Sequence, residues 1–382
     1  MTPELSKPKR YVSLDVLRGL TVTFMCMCNN PGSWGHMYEP MRHTAWVGCH
    51  PVDLIYPFFV FCMGCAMAFS LSKFVENPGA GVAKVIKRSL AIFAIGFALN
   101  CYPFFPTENG HLIFDWNQWC EWMHGKRIFG VLQRIACAYL IAGLLAIWLK
   151  TPKKIGIAIA ALAVIYTGIL VIFGTEPGPF TLEGTISRKI DVALLGESHV
   201  YHGYTFEDGT HAAFDPEGPL GSITGACTCL LGFLIGYLIR KTNKEGGNGY
   251  DMCGRIFVYG MLCLGAGLLV SLVIPISKPL WSVSYVLYAG GWAMLALAFL
   301  IYCIDLKGIS KPFLPFKVMG MNAMMAFILS GVIAKSYQFG NWGLSRYFSA
   351  NEFMSFLHSC IFALVILGLL TILYRRKIFI RL

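Results

Sequence analysis

An all-α polytopic membrane fold of about ten transmembrane helices is what this sequence predicts, and three observations predict it. The 382 residues are 56% hydrophobic and only 13% charged, with mean hydropathy +0.60, whereas a soluble globule carries about 25% charged residues. The apolar residues come in blocks close to the ~20 that a bilayer requires. The basic residues gather in short turns between those blocks. In order, the expected spans are about 12–30, 52–72, 84–103, 128–149, 155–174, 219–239, 253–275, 281–303, 315–335 and 354–374. The first runs into Asn29-Asn30-Pro31 with no small-residue cleavage site, so it reads as a span and not as a signal peptide. The rest follow as hydrophobic runs closed by basic turns such as Lys150-Thr151-Pro152-Lys153-Lys154 and Arg240-Lys241. The chain reads as a single transmembrane domain, 1–382, with helices about 12–174 and 219–374 around an external loop at 175–218.

Charge sets the expected orientation. With Lys7, Lys9 and Arg10 inside, 21 of the 31 Lys and Arg residues fall on the cytoplasmic side and eight outside; Arg18 and Arg134 lie within spans. That asymmetry predicts N-in, C-in. It also accounts for the net charge of +11 as topology, so nucleic-acid binding gains no support. Eight of the nine histidines fall in outer loops, and His358 lies at the outer end of the last span. The long loop holds Asp191, Glu197, His199, His202, Glu207, Asp208, His211, Asp215 and Glu217, most of which read as solvated. A surface of acids and imidazoles suits a polar, cationic ligand arriving from outside.

The fourteen cysteines are mostly scattered within spans. Cys62-x-x-Cys65 has redox or zinc spacing, but in an apolar helix it reads as two small packed hydrophobes, and no metal is expected. A Cys101–Cys120 disulfide stays open. The chain has no GxxxxGK[ST] phosphate loop.

Ionisable groups inside spans are costly and need a reason. In SLDVLRGLTVTFMCMCNN, residues 13–30, Asp15, Arg18 and Asn29 fall within about 60° of one another at ~100° per residue. The simpler reading, a local Asp15–Arg18 pair with a terminal Asn29, leaves the shared stripe unexplained. In RHTAWVGCHPVDLIYPFFVFCMG, residues 42–64, Asp53 begins the second span, where a carboxylate caps free N–H groups. His43 and Trp46 precede it and fold back over the same mouth. A loop histidine is usually only solvated, but one beside an acid and an in-membrane asparagine is what a general base requires. Arg134, in GVLQRIACAY (130–139), must pair in the bilayer, with Asp53 or Glu217 as the natural partner.

These motifs, with FDPEGPLGSITG (214–225), LWSVSYVLY (280–288), MGMNAM (319–324) and YRRKIF (374–379), resemble the heparan-α-glucosaminide N-acetyltransferase family of transmembrane acyltransferases, bacterial members included. The resemblance runs in order over nearly the whole chain. It implies transfer of acetyl from cytoplasmic acetyl-CoA to the amine of a terminal glucosamine on the other face. It places the family's active histidine at His43, its neighbouring asparagine at Asn29 and its first-span aspartate at Asp15. The chain departs from the lysosomal branch in beginning almost directly at the first span, and in reading Ser330-Gly331 where that branch has a histidine.

On this reading the catalytic residues are His43, Asn29 and Asp53. Asp15, Arg18, Arg88, Arg134 and Lys317 meet acetyl-CoA, whose phosphates cannot enter hydrocarbon cheaply and stay at the basic cytoplasmic rim. Trp46, Asp215, Glu217 and Trp281 meet the amino-sugar or glycan acceptor. The expected setting is the lipid bilayer of a bacterial inner membrane, with a homodimer left open. Direct transfer and an acetyl-His43 intermediate both stay open. The rival class is a sugar permease, which discontinuous helices and internal repeats would favour; the sequence presents neither clearly.

Overall fold

The structure, a computed structural model, describes residues 11–108, 110–339 and 347–380; Lys7, Lys9 and Arg10 lie outside them. The expected spans fold as α1 (Val12–Cys28), α2 (Ile55–Leu71) and α3 (Pro78–Cys101), then, past α4 (Trp116–His124), as α5 (Val131–Leu149) and α6 (Pro152–Phe173). Beyond α7 (Ile186–Leu195) come α8 (Ser222–Lys244), α9 (Gly249–Val270), α10 (Val283–Leu300), α11 (Leu314–Met321), α12 (Ala323–Phe339) and α13 (Glu352–Arg375). Extended structure among the described residues is confined to two short antiparallel ladders in loops, Thr107–Glu108 with His111–Leu112 and Tyr204–Thr205 with His211–Ala212.

Length and apolarity qualify seven of these helices to cross a membrane, or eight when the bent pair α11–α12 is taken as one span. The ten expected spans therefore all fold as helices, but two fall outside that count. α1 has 17 residues, and α3 carries Lys84, Lys87 and Arg88 in its first half. α8 is the central helix, with most of its apolar stretch buried, while α6, α9 and α13 keep theirs largely outward.

Small residues set the tightest contacts. In lipid no hydrophobic force drives helices together, so close backbone approach and dispersion must. A Cβ added to Gly64 of α2 would lie 1.8 Å from the Cys229 carbonyl oxygen of α8, and one on Gly232 would lie 2.0 Å from that of Phe61. Gly19 and Gly320 join α1 to α11 in the same way. Cys62 and Cys65 are free, buried and part of the main core. Cys101 and Cys120 are also free, the first buried and the second exposed, so no disulfide joins them.

One span is broken, which the sequence reading did not anticipate. α11 and α12 meet at 73°. The break is at Asn322, which is fully buried and non-helical. Its side-chain amide donates to the Ile378 carbonyl at 3.0 Å and its oxygen accepts from the Ile380 N–H at 3.0 Å. The C-terminal tail thus lies against the broken turn and satisfies the asparagine that makes it. Lys335 of α12 donates to the Leu99 carbonyl at 2.5 Å, placing a cation where the α3 dipole favours one.

Candidate active site

The segment between α1 and α2 closes on one carboxylate. Pro51–Leu54 forms a 3₁₀ turn leading into α2, and Asp53, its third residue, is completely buried. Asp53 Oδ2 accepts from the N–H of His50 (3.0 Å), the N–H of Thr44 (3.3 Å) and the hydroxyl of Thr44 (3.1 Å). Oδ1 lies 2.7 Å from His43 Nδ1. A carboxylate only accepts, so Nδ1 carries the proton and Nε2 is the ring nitrogen able to accept one. The Tyr285 hydroxyl donates to the Asp53 carbonyl at 2.6 Å and fixes the turn from α10. Lys278, in the loop before α10, places its Nζ 3.2 Å from Asp53 Oδ1 and 2.9 Å from His43 Nδ1.

His43 and Thr44 form a wall between two pockets. The inner cavity, about 390 Å³, is bounded by the C-terminal half of α1 (Thr21, Val22, Met25) and Asn29 at its end, by Tyr56 and Phe59 of α2 and by Arg134 of α5. Tyr201, Tyr204 and Glu217 of the long loop cover it, and Lys278 and Trp281 complete it. The other pocket, about 490 Å³ and more open, is lined by Glu39, Arg42, His50 and Glu352. Trp281 adopts φ +53°, a left-handed conformation disfavoured for a bulky residue. Its indole N–H donates to Thr228 Oγ1 at 3.0 Å and its ring meets Tyr56 edge-on at 4.7 Å.

Five expected residues therefore share the inner cavity: Asn29, His43, Arg134, Glu217 and Trp281. Asp53 stands directly behind His43. Trp46 is a layer further back and is not among the lining residues. Its indole donates to the Phe180 carbonyl at 2.6 Å and its ring packs on Phe214 and Tyr204, so it ties the His43 segment to the long loop, and Tyr204 presents the aromatic face instead. Asp215 is likewise behind the wall, gripped by Arg127 through Nε (2.8 Å) and Nη2 (2.5 Å). Arg127 also pairs with Glu217. Burial opposes the charge of Glu217, but Arg127 and then Arg134 outweigh it and hold the carboxyl below its usual range. Neither Arg127 nor Lys278 stood out in the sequence. Lys278 is a lone base in its loop and Arg127 simply follows Lys126, and only the fold reveals the carboxylates each meets.

The expected partner of Arg134 is corrected. It is buried, but among the described residues no carboxylate lies within ion-pair distance of it. Asp53 is taken by His43 and Lys278, and Glu217 by Arg127. The guanidinium instead faces the Trp281 ring at 5.0 Å and the backbone of Gly221, with Nε unbonded. Asp191, read as solvated, is also buried, with Oδ2 accepting from the Asp215 N–H at 3.2 Å and Oδ1 without a partner.

Asp15, Arg18, Arg88 and Lys317 line neither pocket. Asp15 and Arg18 pair at 3.7 Å one turn inward of Thr21, and Arg18 donates to the Gly320 carbonyl at 3.4 Å. Arg88 lies over the Tyr139 ring at 4.8 Å. Lys317 lies on α11, the helix that Gly19 and Gly320 press against α1.

Residues 10–186 match the family model described as heparan-alpha-glucosaminide N-acetyltransferase, catalytic. Over those residues the chain is similar to that family. The chain is also 25% identical to the heparan-alpha-glucosaminide N-acetyltransferase of Mus musculus over 98% of its own length and 61% of the mouse protein. Against the protein of the same name from Homo sapiens the identity is 25%, over 97% of this chain and 60% of the human one. It thus spans about three-fifths of the curated relatives it matches. The matched segment supplies His43, Asn29, Asp53 and Arg134, whereas Glu217, Lys278 and Trp281 come from the part of the chain beyond it.

Proposed function

We propose that the chain is a transmembrane acetyltransferase that carries an acetyl group from cytoplasmic acetyl-CoA to the amine of an amino sugar or glycan on the outer face of a bacterial inner membrane. One observation carries the reading: His43, held by a buried aspartate, is the common wall of a cavity reaching into the bundle and a pocket opening outward. A catalyst joining reactants from two sides of a membrane needs that placement. On the expected N-in, C-in orientation, the donor reaches this cavity from the cytoplasmic side along α1, past the Asp15–Arg18 pair one turn beyond Thr21.

The thioester end of the donor occupies the inner cavity beside Asn29 and Trp281. Arg134, with no carboxylate at ion-pair distance among the described residues, donates to the amide carbonyls of the pantetheine arm. Arg18, Arg88 and Lys317 are assigned the nucleotide end because they lie toward the basic turns of the expected cytoplasmic rim, with Asp15 holding Arg18. The acceptor amine arrives through the outer pocket, where Glu39 and Glu352 suit a cation. Its nitrogen attacks the thioester carbon, the carbonyl π electrons move to oxygen, and collapse breaks the C–S bond to release coenzyme A. His43 Nε2 takes the amine proton and returns it to the thiolate, while Asp53 keeps the proton on Nδ1. In the acetyl-carrier variant the same nitrogen attacks first. The outcome is an amide and a free thiol.

The test is sided. Purified protein in liposomes is given acetyl-CoA on one face and glucosamine on the other. N-acetylated sugar should form with reactants on opposite faces and the donor facing the cytoplasmic side. Sugar that crosses unmodified, with no acetyl product, would indicate a permease and contradict the proposal.

A further inference from the structure

We infer that Lys278 is a catalytic residue whose ammonium donates to the acyl carbonyl oxygen while charge develops there. This rests on the acetyl-transfer reading above and adds to it a second donor in the cavity that Asn29 also lines. Three observations lead to it. Asp53 does not need Lys278 for hydrogen bonding, because His43, Thr44 and His50 already give it four donors. An ammonium has three N–H groups, and Asp53 accepts from one of them. Lys278 also lines the inner cavity within 3.4 Å of both ring nitrogens of His43, so its remaining donors stand beside the base and face the place where the thioester must lie. The other cavity cations are placed differently. Arg127 is held by Asp215 and Glu217, and Arg134 lies against Trp281 and Gly221.

In the step itself the amine nitrogen bonds to the carbonyl carbon and the π pair moves to oxygen, where Lys278 and Asn29 receive it. The pair returns as the C–S bond breaks, and the thiolate takes the proton that His43 removed from the amine. Lys278 remains protonated throughout. It lowers the barrier through donors that are already oriented before the charge develops.

The experiment compares wild type, Lys278→Gln and Lys278→Arg as full-length protein in liposomes, each first shown to be stabilised against heat by coenzyme A. Turnover is measured with acetyl-CoA and with fluoroacetyl-CoA, whose substituent itself stabilises the oxyanion. Loss of an oxyanion donor should lower Lys278→Gln turnover about 10²–10³-fold, with donor KM within about threefold of wild type. Lys278→Arg should recover at least about tenfold of that. The loss should shrink with fluoroacetyl-CoA, a change that a purely structural lysine would not produce. Wild-type turnover in Lys278→Gln, or an equal loss with both donors, overturns the assignment. If Lys278→Gln does not fold, Lys278→Met is judged by the same two criteria: wild-type turnover, or an equal loss with both donors, overturns the assignment. Wild-type protein that transfers no acetyl group overturns the broader reading and this one with it.

Discussion

Both oxygens of Asp53 are engaged, one with His43 and Lys278 and the other with the backbone at His50 and Thr44. The carboxylate therefore closes the turn that starts α2 and orients the imidazole in one stroke, so two roles that compete on paper coincide. Sequence made His43, Asn29 and Asp53 legible because an acid, an imidazole and an amide stand out at the mouth of an apolar run. It could not show Lys278, which has no neighbours of its own kind, nor that Asp191 is buried in a polar loop. Asp191 carries a pH prediction. Burial, with the carboxylate of Asp215 adding to it, pushes its pKa up to about 8 against the opposing Asp215 N–H and the guanidinium groups of Arg134 and Arg127. Unfolded, it titrates near 4. The folded form thus holds a proton that the unfolded form has lost, so stability falls as pH rises from about 4 to 8 and levels above that. Asp191→Asn should flatten this part of the curve and raise the melting temperature at pH 9 more than at pH 5. Equal slopes for wild type and variant in a thermal series would show that Asp191 ionises freely in the fold.

Among the helices, the positions of all ten expected spans were readable because each needs its own apolar block. Which helices touch was not readable, since glycine contacts depend on the rotation of two helices at once. Gly64, Gly232 and Gly236 bring α2 against α8, and there the backbone itself is the obstacle to any added carbon. Gly64→Ala should therefore lower the melting temperature by several degrees and reduce the folded yield, whereas Gly168→Ala, with open space around its Cβ position on α6, should not. Equal melting temperatures for the two variants would contradict the close packing. The break at Asn322 was also hidden, because MGMNAM keeps an apolar pattern through the bend. A broken helix is a feature that permeases share, but here the freed side chain binds the chain's own tail at Ile378 and Ile380. The break is thereby explained without a substrate or an ion.

Across the whole molecule, the bundle opens toward one side of His43 and the loops toward the other. The C-terminal half of α1 lines the inner cavity, and the Asp15–Arg18 pair follows one turn further in, so the stripe seen in the sequence continues inward toward the basic turns. The long loop covers the cavity with Tyr201, Tyr204 and Glu217 and is locked by Arg127, whose charge burial opposes but Asp215 and Glu217 hold in place. In the proposed reaction everything converges on the imidazole between the two pockets. The most direct test is acetyl transfer by His43→Ala in liposomes, on protein that is folded and still stabilised by coenzyme A. Loss of a positioned base should cut turnover about 10²–10⁴-fold with donor binding retained; near wild-type turnover would contradict the account.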